Sequence, residues 1–276
     1  MVASPLFNDI VQTHERLTNQ YFGDNSYTYY RAQDLGSRYR WTARFAPFDT
    51  VLLKLCCNPP DYTAPTTNLA SSMTFFRSWL QSVGAYTLTE HFETMKGTRA
   101  ESVSMTVNQG IIDTAISFIS REIIKPQTTN PLPGTPVMKA FSDITTTPWT
   151  HVDNGSLPLS VNSITYPTDN FTINWANALN NKPYNGSKVI DTNKCMKQHI
   201  TGTFMGVVGK DLNLEGFFDN VALSNIPLSY AIKPASMSIS LTDVNLKIMD
   251  KAQTAAGEEE WKMDISFDAR LASITP

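Results

Sequence analysis

Apolar and polar residues alternate with a period of two over several stretches of this chain, the spacing of a strand with one buried and one wet face. Val103, Met105 and Val107 alternate with Ser102, Ser104 and Thr106, Gln109-Gly110 turns the chain, and Ile112, Thr114, Ile116 and Phe118 continue beyond it. This pattern predicts a hairpin over 101–120. Ile164 and Tyr166 predict another strand, followed by Phe171, Ile173 and Trp175 against Thr172 and Asn174, and by residues 200–204 with Thr201 and Thr203 on their other face. Near the end, Met237, Ile239 and Leu241 lead to Val244, Leu246 and Ile248 after a bulge-like break at Thr242-Asp243. Met263, Ile265, Phe267, Ala269 and Leu271 then alternate with Asp264, Ser266, Asp268 and Arg270. Together they predict a second hairpin over 236–272, its loop marked by Gly257, Glu258, Glu259 and Glu260. Earlier, Tyr27, Tyr29 and Arg31, then Trp41, Ala43 and Phe45, predict two strands around a turn near Gly36.

Other stretches read differently. Ser4-Pro5 has the form of a helix start, and Leu6, Ile10, His14 and Leu17 recur at helical spacing up to Gly23, which predicts a helical arm over 1–24. The apolar run 51–57 suits a buried strand or a short helix, and 72–82, with Phe75, Phe76, Trp79 and Leu80, suits an amphipathic helix as well as a strand. A flanking helix is expected over 212–222. Pro126, Pro131, Pro133, Pro136 and Pro148 with interspersed threonines mark 125–149 as a linker between a first β domain, 25–124, and a second, 150–276. Each half ends in an alternating hairpin. The fold class expected is therefore mainly β, an antiparallel β-sandwich or barrel in two tandem, duplicated domains with short flanking helices.

Composition narrows the function. Lys and Arg total 22 against 25 Asp and Glu, a formal charge of 22 − 25 = −3 with a pI near 5.8, which opposes a protein built to grip phosphates. Hydrophobic residues make up 41% and charged residues 17%, excluding disorder and a long coiled coil. No basic segment precedes an apolar core at the start, and no apolar run approaches the roughly 20 residues of a membrane helix, so neither export nor a membrane span is expected. The acceptor triplets beginning at Asn154, Asn170 and Asn185 are then chance products of a chain rich in Ser, Thr and Asn.

Candidate chemistry is sparse. The three cysteines, adjacent Cys56 and Cys57 and distant Cys195, form no disulfide framework and indicate a reduced compartment. Cys56-Cys57 follows Val51, Leu52, Leu53 and Leu55 and reads as quiet core. His14, His91, His151 and His199 show no metal-ligand spacing and read as surface or hydrogen-bonded residues. No nucleophile elbow occurs, and Gly209-Lys210 is followed by Asp211 where a phosphate loop needs Ser or Thr. Glu258, Glu259 and Glu260 read as a solvated loop, and Trp41 and Trp175 as core or interface residues, with Trp149 packing the two halves together. No catalytic residue, cofactor or metal is expected, and the chain is not expected to be an enzyme. The polar stretch 176–198 is long enough to be functional, and Asn181, Lys182, Tyr184, Asn185, Lys188 and Asp191 within it are candidates for contact with another subunit.

A strand-rich chain without a reactive constellation fits a protein that assembles with copies of itself. The order of its segments resembles the tail tube (major tail) proteins of tailed viruses. The resemblance lies in Val161-Asn162-Ser163-Ile164-Thr165, Asp169-Asn170-Phe171-Thr172-Ile173-Asn174, Asn185-Gly186-Ser187, Lys197-Gln198-His199-Ile200-Thr201-Gly202-Thr203-Phe204 and Ser236-Met237-Ser238-Ile239-Ser240-Leu241 with 244–248, and residues 97–107 with Gln109-Gly110 form the same type of hairpin. It covers most of 25–272 and departs at the N-terminal segment and at 51–82. The resemblance implies a structural virion protein, assembled in the host cytoplasm, whose rings stack into a tail tube, contact other tail proteins and pass viral DNA without binding it tightly. Three chains would close a pseudo-sixfold ring if both halves are tube folds, and six if only the second is. A conduit for a polyanion should present few free cations, so Ser238, Ser240, Asp264, Ser266 and Asp268 are the candidate lumen-facing residues. The alternatives are a carbohydrate- or receptor-binding β-sandwich module of a virion or cell surface, and a β-rich hydrolase whose site is assembled from distant residues.

Overall fold

The computed structural model of the protein describes residues 9–22, 29–45, 56, 73–82, 84, 87–108, 111–131, 150–151, 159–166, 168–179, 195–208, 226–233, 237–253 and 261–275. The elements in order are β1 (Asp9–Phe22), β2 (Tyr29–Phe45), β3 (Met73–Ser82), β4 (Leu88–Asn108), β5 (Ile111–Ser120), β6 (Glu122–Gln127) and β7 (Thr150–His151). They continue with β8 (Leu159–Val161), β9 (Ile164–Tyr166), β10 (Thr168–Leu179), β11 (Cys195–Val208), β12 (Ile226–Lys233), β13 (Met237–Gln253) and β14 (Trp261–Thr275). The architecture is mainly β, with every pairing antiparallel in the order β1-β2-β5-β4-β10-β11-β14-β13-β12-β8-β9.

The predicted N-terminal helical arm is corrected: Asp9–Phe22 is a strand, and no helical element flanks the sheet among the described residues. Ile10, Val11, Thr13 and Thr18 are β-branched, and β2 offers a hydrogen-bonding partner from Asp9↔Arg44 to Phe22↔Tyr29. That ladder outweighs the weak helical spacing of four residues. The turn expected near Gly36 is also corrected, because β2 runs through it. Leu17 pairs with Gly36 and Thr18 with Asp34, so Leu35-Gly36 is a bulge, a common use of glycine inside a strand. Residues 73–82, which the sequence left between helix and strand, are β3. Of 51–57 only Cys56 is described, and 212–222, Ser4-Pro5, Trp149 and Glu258 to Glu260 lie outside the described residues.

The two halves meet through β4 and β10, where Ser102↔Ala176 through Asn108↔Asn170 form one ladder. The proposed linker begins inside β6, and residues 132–149 lie outside the described set. Beyond it β7 joins the far sides of the sheet, Thr150 pairing with both Lys233 of β12 and Ile111 of β5. This closes β5, β4, β10, β11, β14, β13, β12 and β7 into a ring around one apolar interior. Val103, Met105, Ile116, Phe171, Ile173, Trp175, Ile200, Ile239, Val244 and Ile265 are fully buried there. Phe171 stacks on Tyr230 with ring centroids 4.3 Å apart, and because their strands β10 and β12 are not neighbours, this contact crosses the interior. Each buried side chain of this size stabilises the fold by about 1.5–3 kcal/mol relative to exposure. The interior is filled by side chains, so it is a core and not a channel.

Strand β4 continues past the ring. Its first half is flanked by β3, from Met73↔Thr98 to Ser82↔Leu88, and by β6, from Phe92↔Gln127 to Lys96↔Glu122. Between the halves of β4 stands Gly97, whose φ of +60° suits glycine, and a Cβ there would lie 3.0 Å from Cβ of Arg121. Phe75 of β3 packs edge-on to both Trp41 and Phe118, which stack 4.2 Å apart, so the outer hairpin is tied to the main core. Between β8 and β9, Asn162 and Ser163 both have positive φ, the geometry of a two-residue hairpin turn.

Candidate functional site

Because the inner face is a filled core, the surface that the described strands of the ring offer to a large partner is on the outer side of the sheet. Alternation turns Ser102, Ser104 and Thr106 of β4, Thr172 and Asn174 of β10, and Thr201 and Thr203 of β11 outward, while their neighbours enter the core. Registers align them in rows. One row runs Arg44, Ala115, Ser104, Asn174, Thr201, Asp268, Asn245, and the next runs Asp113, Thr106, Thr172, Thr203, Ser266, Lys247. At roughly 4.8 Å per strand, the second row is about 24 Å wide.

All five candidate lumen residues, Ser238, Ser240, Asp264, Ser266 and Asp268, fall on this outer side of β13 and β14, and both aspartates are exposed. The Ser266 hydroxyl donates to the Lys247 carbonyl at 3.3 Å. Asp268 lies 3.5 Å from Nε2 of exposed His199, whose strand neighbours it in register. Sequence reasoning selected only the last hairpin, yet the same alternation marks the hydroxyl and amide residues of β4, β10 and β11 that form the middle of the face.

The break expected at Thr242-Asp243 is real in one respect and corrected in another. Inward positions shift phase there, from Ile239 and Leu241 to Val244 and Leu246, with Asp243 at φ +53°. The pairing register does not slip, because β14 shifts with it: Ala269 is inward, and then Ala272 and Ile274, whereas Leu271, expected inward, is only half-buried. Arg270 and Asp243 form an ion pair across this double phase change.

Two of the cations on the face are paired, Arg270 with Asp243 and Arg40 with Glu101. Arg40 donates from Nε and Nη2 to the two carboxylate oxygens of Glu101 at 2.8 and 2.6 Å, a bidentate pair. The central residues of β4, β10 and β11 in the two rows carry no ionised side chain. This middle part of the face, built of hydroxyls and amides without cations, has little to hold phosphates. The candidate loop residues Asn181, Lys182, Tyr184, Asn185, Lys188 and Asp191 lie outside the described residues; the strands that bracket them end at the pair Leu179↔Cys195.

The other residues singled out in the sequence have structural places. Cys56 is buried, and burial pushes its thiol from 9.0 up to about 12, so it is held protonated. Asn177, also buried, donates to the carbonyls of Cys56 at 3.2 Å and Ala100 at 3.1 Å and accepts from Gln198 at 3.0 Å. Trp41 and Trp175 are core. His91 stacks on Trp79, over which Arg77 lies while it pairs with buried Glu93. Among the described residues no group of three His, Cys, Asp or Glu could hold a metal, and no helix is long and apolar enough to cross a membrane. A scan against models of known protein families finds no match, and a search of curated proteins finds none either.

Proposed function

We propose that this chain is a structural virion protein whose copies assemble into stacked rings, forming a tail tube through which a viral genome passes. The observation that carries this reading is the wide outer face of hydroxyl and amide side chains over a filled apolar core. A channel built from such chains lies between copies, lined by that face, because the interior of each chain is occupied. The neutral middle of the face supports passage of a polyanion without retention. The chain acts as scaffold and conduit, without catalysis. It is assembled in the host cytoplasm and resides in the virion tail beside other tail proteins. The single core shared by both halves supports counting the chain as one unit, with six copies to a ring in preference to three.

Negative-stain electron microscopy of concentrated purified protein tests the reading. Rings or tubes of uniform diameter are expected. Particles that stay single chains at every concentration overturn it, and sugar-dependent or receptor-dependent binding by such monomers would establish the alternative of a binding module.

A further inference from the structure

Among the described residues three large apolar side chains are exposed, Val11 at 53%, Leu80 at 63% and Leu88 at 63%. Two of them stand together. Leu80 pairs with Glu90 and Ser82 with Leu88, so the leucines are diagonal neighbours on one face of the outer hairpin, about 7–8 Å apart. Phe76 and Phe92, stacked 5.6 Å apart, continue that face toward the root of the hairpin, where Phe92 is buried. The opposite face is filled by its own side chains, His91 stacking on Trp79, and Arg77 lying over Trp79 while it pairs with Glu93. Because β6 flanks β4 only from Phe92 to Lys96, the hairpin beyond Phe92 has two strands among the described residues. Two strands alone are marginal in water, and an apolar face that runs out to their tip lacks a cover.

The third exposed side chain lies elsewhere. Val11 is on the outer face of β1, in the row Val11, Thr42, Ser117, Ser102, and β1 has β2 as its one partner among the described residues. Along β4 this row is 102 − 88 = 14 residues from Leu88, at most about 46 Å, whereas across the sheet Val11 is three strands from β4, about 14 Å. Within one chain the leucines do not cover Val11, since all three stay exposed. A second copy displaced chiefly along the strands brings the hairpin tip of one over Val11 of the other. The connection between β10 and β11 leaves the sheet at the hairpin's end, because Ala176 pairs with Ser102 and the pair Leu179↔Cys195 lies farther toward the hairpin.

We propose that the outer hairpin makes the contact between rings, its Leu80 and Leu88 packing over Val11 on β1 of a copy in the next ring. This rests on reading the chain as a tube protein and adds the surfaces by which rings stack. The contact joins two different surfaces and repeats by displacement along the strands, so it does not close and instead extends a stack. Each contact is small, but every copy in a ring makes it, and the contacts of one ring act together. The Trp79, His91, Arg77 and Glu93 cluster holds the two strands of the hairpin together from behind, while the apolar face is left for the neighbour.

Replacing the apolar contact with a charged one tests it, with tubes measured by sedimentation, rings by negative-stain microscopy and each variant's fold by circular dichroism. Leu88 and Val11 are exposed, so substitution leaves the core intact. Leu88→Asp and Val11→Lys should each lower the fraction of protein in tubes by about tenfold while rings persist. The two together, now of opposite charge, should return it to within about threefold of the parent. Tubes from Leu88→Asp in parental yield overturn the contact and leave the ring reading standing. Two defective single variants with no recovery in the double overturn the direct pairing, and normal stacking by Val11→Lys removes Val11 as the partner. Loss of the rings themselves in Leu88→Asp makes the contact lateral and overturns the proposal. A parent that remains a monomer overturns the tube reading and this contact with it.

Discussion

Gly202 shows how tightly single positions are specified. It sits in β11 between Ile173 and Phe267, and a Cβ there would lie 2.2 Å from the Phe267 ring and 2.2 Å from the backbone oxygen of Thr172. The ring can turn, but the carbonyl cannot move without breaking the β10–β11 ladder. Gly202→Ala should therefore destabilise the protein by about 3 kcal/mol, the upper range for overpacking, and lower Tm by roughly 10 °C in a thermal melt. A loss under about 1 kcal/mol would show that the ladder is looser than described. Two buried acids set a pH limit in the same core. Burial raises the Cys56 thiol from 9.0 to about 12 and raises the Tyr230 phenol above its usual 10.0. Both folded values exceed the unfolded ones, so their neutral forms contribute stability that is complete below pH 9 and is lost as pH rises. The unfolding free energy from denaturant titration should hold steady from pH 7 to about 9 and then fall by up to roughly 1.4 kcal/mol per pH unit for each group, as far as about 12 for Cys56. Cys56→Ala should remove the earlier part of that fall, while leaving the part owed to Tyr230.

At the scale of elements, the strands legible in the sequence were those whose two faces meet different solvents. β4, β5, β10, β11, β13 and β14 alternate because their odd or even residues enter one core, and a period of two records that directly. β1 escaped because what fixes it is its long ladder with β2, the next strand along the chain, while Ile10, His14 and Leu17 fall by chance at helical intervals. β12 left a signal that went unread: Ile226, Leu228 and Tyr230 are buried with Pro227 and Ser229 between them, but a proline argues against a paired strand. The outer face was partly legible, since alternation names its residues but not their order across the sheet. That order comes from pairings such as β4 with β10 and β11 with β14, which no local pattern encodes. The connection after Leu179 belongs to this scale as well. Its ends are pinned by Leu179↔Cys195, so removing residues 181–191 shortens a loop between strands already paired. The shortened protein should melt within a few degrees of the parent and form rings that fail to stack, as seen by electron microscopy. Normal tubes from this variant would remove the loop from the contact between rings.

For the whole molecule, the central relation is between a filled interior and a polar exterior. A chain with net charge −3 repels DNA weakly, and multiplication around a ring strengthens the field inside a channel, within a screening length of about 8 Å at physiological salt. Asp264 is exposed on the outer face. Asp264→Lys changes each chain by +2, from −3 to −1, and adds one cation per copy to the face. Assembled rings of this variant should fold normally and retain duplex DNA several-fold more strongly than the parent at low salt, with the difference vanishing as salt rises. Equal retention by both would place Asp264 away from the DNA path. The most direct measurement is a helical reconstruction of the assembled protein at a resolution that separates strands, roughly 4.8 Å. The account predicts the outer face of β10, β11, β14 and β13 turned toward the axis, with Thr203 and Ser266 lining an open channel and the aromatic core of each chain intact. A reconstruction with that face on the outside of the tube, or buried flat between stacked copies, would contradict it.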